Sequence, residues 1–191
     1  WDDLEYQWKE TDDPISNPVS HAALCVLALA LGPLSRADLV ALTTPEGGSS
    51  LRLSRALTDL KRLIAGNDTS GYVLMHPRLR EFFLNERLLP EERLVWETRL
   101  FDYGQDVVKR YFAGQVSAQQ MSKYVLEHHA VSLATVNGHQ DELYQLVGQK
   151  WLHVWEVTTG TFNGFLDDVA LAWSKAKAIG AVAIEDPDRA E

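Results

Sequence analysis

A mainly α-helical chain carrying one small β-hairpin is predicted, and three features of the sequence predict it. Apolar residues recur at helical spacing, as in Leu53, Leu57, Leu60 and Ile64. Residues that cap or stop helices punctuate these runs, from Ser35 at a start to Gly32-Pro33 at an end. The one β-prone segment, Tyr72-Val73-Leu74-Met75, follows the turn Gly66-Asn67-Asp68-Thr69-Ser70-Gly71 and reads as half of a hairpin. With 46% hydrophobic residues in 191, the chain can fill a core without staples.

The elements follow in order. Residues 1–17 hold six acids and one base and form an acidic linker. Pro18 suits the first turn of a helix running to about Leu31. Ser35 caps a second helix, with Leu39, Val40 and Leu42 turned inward. After a Gly- and Ser-rich loop, the third helix carries its stripe from Leu53 to Ile64. The hairpin comes next, and Pro77 begins a helix with Leu79, Phe82 and Phe83 on its inner face. Three helices, a hairpin and a closing helix within 18–89 outline a winged helix.

From Pro90 the pattern changes to long helices, an antiparallel helical bundle or tetratricopeptide-like array over 90–180, with a tail at 181–191. Leu94, Leu100, Val107, Val108 and Tyr111 form the first stripe, which Gly114 ends. Ser117 to Gln120 reads as a capping box for the next helix, which Asn137-Gly138 stops. A short helix follows, then Trp151 and Trp155 as core residues. The last helix, 161–179, is expected to bury Phe162, Phe165, Leu166, Val169 and Trp173, leaving Asp167-Asp168 on its outer face.

Composition narrows the function classes. The net charge of −9 argues against indiscriminate binding to nucleic acid or anionic lipid. The longest apolar stretch, Ala22 to Leu31, is about half a bilayer span, so no membrane partner is expected. The single Cys25 reads as a small buried hydrophobe in a reducing compartment, and the expectation is a soluble, cytoplasmic protein. Trp1 at the start and the acidic run at the end read as the ends of an excised piece.

Catalytic motifs are not found. No lysine follows a glycine, which excludes a GxxxxGK[ST] phosphate loop, and neither a metal-binding HExxH nor a nucleophile in a supporting context occurs. His128-His129 are helical neighbours that diverge, one expected at the edge of the core and the other in solvent. No metal site, no cofactor of its own and no enzymatic activity are expected of this chain.

The string Gly71-Tyr72-Val73-Leu74-Met75-His76-Pro77-Arg78-Leu79-Arg80-Glu81-Phe82-Phe83 resembles the end of the winged-helix domain in the STAND class of signal-transduction ATPases. That class includes apoptotic-protease activators and plant immune receptors, and its wing strand leads into a Met-His-Asp or similar motif. Here the motif reads Met75-His76-Pro77, so the supporting aspartate is replaced by proline. The resemblance implies that His76 contacts the β-phosphate of ADP bound by an adjacent domain, with Arg78 and Arg80 able to assist. The runs Tyr124 to Ala130, Asn137 to Leu143 and Lys150-Trp151-Leu152 look like the helical segment that follows the winged helix in STAND proteins with repeat-type sensors.

The implied partners are therefore a nucleotide-binding domain and a sensor or repeat domain of the same polypeptide, which as a whole can oligomerise. Each site residue also has a plainer reading: His76 as a helix cap touching no nucleotide, Arg78 and Arg80 as solvated first-turn residues. Arg52, Arg55, Lys61 and Arg62 can meet a DNA major groove, or form a solvated face or a contact with an acidic partner. The second functional reading is accordingly a winged-helix DNA-binding regulator with a helical dimerisation domain, and nucleic acid is the less favoured partner because the chain is acidic.

Overall fold

A computed structural model describes residues 16–185, so most of the acidic linker and the end of the tail lie outside the described residues. The chain is mainly helical with one two-stranded antiparallel hairpin. It divides into two compact units, one up to Tyr103 and one from Gly104 on. The division falls inside a long helix, Pro90–Phe112, whereas the sequence pattern changes near residue 89.

In the first unit, Asn17 caps helix α1 (Pro18–Leu29), its side-chain oxygen accepting from the Val19 and Ser20 amides at 2.9 and 3.4 Å. Pro18 takes the first helical position, where no amide is needed. Apart from Ser20 and His21 this helix is apolar and so becomes the centre of the unit, with Ala22 to Val26 fully buried. Helix α2 (Arg36–Thr43) opens with a capping box in which Ser35 and Asp38 each accept from the other's amide, at 3.2 and 2.8 Å. Leu39 and Leu42 are buried there, while Val40 is only half-buried.

Helix α3 (Ser50–Asp59) ends earlier than its apolar stripe suggests. Ile64, expected on that helix, instead opens strand β1 (Ile64–Asn67), which pairs with β2 (Gly71–Leu74) so that Ile64 faces Leu74. The reason lies at Gly66, whose φ of +110° belongs to glycine and where a Cβ would lie 1.9 Å from the Gly71 carbonyl oxygen. Leu34 adds a single bridge to β2, exchanging hydrogen bonds of 3.1 and 2.8 Å with Tyr72. Helix α4 (Pro77–Phe82) runs into a π-helical turn, Phe83–Arg87, and both pack on α1. Of the three inner residues expected here, Phe83 is buried and Leu79 and Phe82 are half-buried.

Helix α5 (Pro90–Phe112) turns Trp96 inward, and Leu94, expected on that face, is 64% exposed. Arg99 explains the choice: its guanidinium lies 4.2 Å over the Trp96 ring and pairs with Glu46 at 2.6 Å. Tyr103 adds a hydroxyl donated to the buried Asp38 at 2.5 Å.

In the second unit, Ser117 and Gln120 do form a capping box, but over a single 3₁₀ turn, Ala118–Gln120. Helix α6 (Lys123–Thr135) starts afterwards with Ser122 as its cap. Helices α7 (Gln140–Gln145), α8 (Gln149–Thr159) and α9 (Asn163–Glu185) follow. Leu126, Leu143, Leu146, Trp151 and Val154 make up the centre of the core.

The inner face of α9 corrects the expected one. Phe162, Leu166 and Trp173 are 47%, 59% and 73% exposed, while Asp168 and Ala172 are buried. Asp168 thus points inward, against the expectation for the Asp167-Asp168 pair. Gly164 sets this rotation, because a Cβ there would lie 2.1 Å from the Trp155 ring. Gly164, Asp168 and Ala172 stand one turn apart and form the small, polar stripe on which the helix rests. Among the described residues, no helix is long and apolar enough to cross a membrane.

Candidate functional site

The residue on which the phosphate-sensing expectation rests, His76, sits at the junction of β2 and α4. Met75 closes the hairpin by donating its amide to the Leu63 carbonyl at 2.8 Å, and the chain then turns at His76 with extended backbone angles. Pro77 takes the first helical position and fixes that turn. His76 is exposed, and its Nδ1 accepts from the Arg78 amide at 3.1 Å. An accepting Nδ1 carries no proton, so in the neutral ring the proton is on Nε2, a donor directed away from the helix cap.

The two arginines expected at this junction make different bonds. Arg78 is exposed and is joined to His76 through its backbone amide. Arg80 turns to α1, where its Nε donates to the Ala28 carbonyl at 2.9 Å and satisfies an acceptor in the last helical turn. That bond ties α4 to α1.

The cations of the α3 region, Arg52, Arg55, Lys61 and Arg62, lie exposed on the surface. Arg52 donates to the Gly47 carbonyl at 3.1 Å, and Lys61 and Arg62 lie past the helix end. Arg36, which sequence reasoning did not single out, donates to the Ser50 carbonyl and to Ser54, and faces Asp68 at 3.6 Å.

The second unit contains buried polar chemistry that the sequence reading missed. Asp168 accepts the indole N–H of Trp151 at 2.8 Å and of Trp155 at 2.9 Å through the same oxygen. Burial pushes its carboxyl up to about 6, although both indole bonds favour the charged form. His129 is buried against Gly104, where a Cβ would lie 2.4 Å from its Nδ1. Burial, and then the neighbouring His139, hold it down at about 4, so it is neutral at physiological pH. A cavity of about 480 Å³ opens beside it, with Gln105, Lys109 and Glu142 among its polar walls. The signal that could have found Asp168 is its spacing from Gly164 and Ala172; His129 carried none.

In the first unit, burial and then the Glu92 carboxylate push the Cys25 thiol up to about 12, which removes it as a nucleophile at neutral pH. Comparison with protein-family models, with curated proteins and with solved structures yields no match to this chain.

Proposed function

We propose that this chain is the regulatory winged-helix and helical region of a STAND-type signalling ATPase, coupling the nucleotide state of an adjacent domain to a sensor region. In this reading α1 to α3 are the three helices of the winged helix, β1 and β2 its wing, and the single Leu34 bridge its short first strand. Helices α6 to α9 are the bundle or tetratricopeptide-like array that transmits rearrangement.

The observation carrying the proposal is the fixed imidazole of His76. Its Nδ1 is engaged by the Arg78 amide, leaving an exposed Nε2–H as a preset donor for a phosphate oxygen. The chain supplies this donor, and the ADP and its hydrolytic machinery belong to the neighbour. Loss of the donor on nucleotide exchange would release the closed state, as expected of a two-state switch.

The test is ADP release from the polypeptide that joins this chain to its nucleotide-binding domain. A hydrogen bond to a charged group contributes about 1.5–3 kcal/mol, so His76→Ala is expected to speed ADP loss roughly ten- to hundredfold and to raise basal signalling. Unchanged ADP retention with unchanged basal activity overturns the proposal, as does a parent polypeptide without a nucleotide-binding domain. Salt-dependent binding of duplex DNA that is lost in Arg55→Ala would instead favour the DNA-binding regulator.

A further inference from the structure

His21 and Cys25 stand one turn apart on α1, so their side chains leave the same face of the helix. Glu92, in the first turn of α5, meets them there. The Cys25 Sγ lies 3.7 Å from each ring nitrogen of His21, and the His21 Nε2 lies 3.5 Å from the Glu92 Oε1. One donor atom from each of the three residues falls within 4.8 Å of the others.

The 3.5 Å between His21 Nε2 and Glu92 is a spacing that a small tetrahedral ion imposes. The sulfur, equidistant from both ring nitrogens at 3.7 Å, lies off the lone pair of either and requires the part-exposed His21 ring to turn before all three can share an ion. Zinc bonds of about 2.3 Å to sulfur and 2.0–2.2 Å to nitrogen or oxygen, at tetrahedral angles, put neighbouring donors roughly 3.3–3.6 Å apart. The side chains of His21 and Glu92 are 35% and 33% exposed, whereas Cys25 is fully buried. An ion held there is enclosed on the sulfur side and open on the other, where water can complete four ligands.

The donor types select the ion. Sulfur disfavours magnesium and calcium, which take oxygen ligands, and the mixture of sulfur, imidazole and carboxylate suits zinc. Charge agrees as well: once the thiol proton has left on binding, the thiolate and the Glu92 carboxylate together balance a divalent cation.

We propose that His21, Cys25 and Glu92 form a three-ligand site for a zinc-class divalent cation that ties the start of α5 to α1. On binding, the thiol proton passes to solvent and the sulfur bonds to the metal as thiolate, with no change of oxidation state. The site is independent of the phosphate reading at His76.

Cobalt(II) reports on it directly. The full chain, reduced and stripped with a chelator, is titrated with cobalt chloride and then with zinc chloride. A near-ultraviolet sulfur-to-cobalt charge-transfer band saturating at one equivalent, and abolished by zinc, is expected. Cys25→Ala should lose the band, and Glu92→Gln and His21→Gln should weaken cobalt binding at least about tenfold. The last two replace partly exposed side chains, so they decide the matter even if Cys25→Ala unfolds. No charge-transfer band in the reduced wild-type chain, or cobalt binding unaltered in both Glu92→Gln and His21→Gln, overturns the site.

Discussion

Replacing Asp168 with alanine is expected to destabilise the second unit by about 3–5 kcal/mol, because it leaves two buried indole N–H groups without an acceptor and opens a gap under α9. Both indole bonds end on one oxygen of Asp168, at 2.8 and 2.9 Å, and both tryptophans are buried. Asp168→Asn keeps an acceptor of the same shape and should cost about 1 kcal/mol or less at neutral pH, since it also removes a charge from a buried position. Tryptophan fluorescence during urea unfolding measures both variants.

The same substitution separates two opposing pH effects. The carboxyl of Asp168 is raised from 3.8 to about 6 in the fold. The folded state therefore keeps a proton that the unfolded chain has lost, and this contribution is full below pH 3.8 and is lost as pH rises through about 6. His129 is lowered from 6.5 to about 4, so the unfolded chain takes up its proton first and stability is lost as pH falls from 6.5 through about 4. Each effect amounts to roughly 3 kcal/mol, and in the wild type they nearly cancel. Asp168→Asn removes the offsetting carboxyl effect and leaves the histidine effect uncancelled, so the unit should weaken steadily on acidification from pH 6.5. A variant with the same pH profile as the wild type contradicts this pairing.

In the first unit the largest expected loss is that of Phe83→Ala, about 3–5 kcal/mol from lost burial and an incompletely filled cavity. Phe83 is 2% exposed, lies edge-to-face against Phe82 at 6.0 Å, and belongs to the π-helical turn packed on α1. It is the main apolar anchor of the segment that carries His76. Hydrogen exchange should quicken most in α4 and its turn, and a loss below about 1 kcal/mol would show that the segment is held elsewhere.

Local signals were legible in the sequence wherever a residue acts on its immediate neighbours. Asn17-Pro18 and the Ser35–Asp38 box start their helices as the residues require, and the turn before Tyr72 makes a hairpin. His76 before Pro77 is likewise a local cap. What could not be read depends on partners remote in the chain. The apolar size of Phe162, Leu166 and Trp173 suggests an inner face, yet Gly164 against Trp155 and Asp168 between two indoles turn α9 the other way. Ile64 continues a helical stripe in sequence, but the helix ends at Asp59. The glycine two residues on permits the close pairing with β2 that makes Ile64 part of a strand. Arg80 is near His76 in sequence, but its bond to the Ala28 carbonyl depends on α1 lying against α4. The grouping of His21, Cys25 and Glu92 needs α5 to return to α1, which no spacing encodes.

The most direct measurement is the imidazole nitrogen spectrum of His76 in the polypeptide that joins this chain to its nucleotide-binding domain, with ADP and without. Nδ1 should appear as an unprotonated acceptor in both states, with the Nε2 resonance displaced and its proton protected from exchange only when ADP is bound. A His76 ring whose two nitrogens are unchanged by ADP contradicts a phosphate contact at this junction.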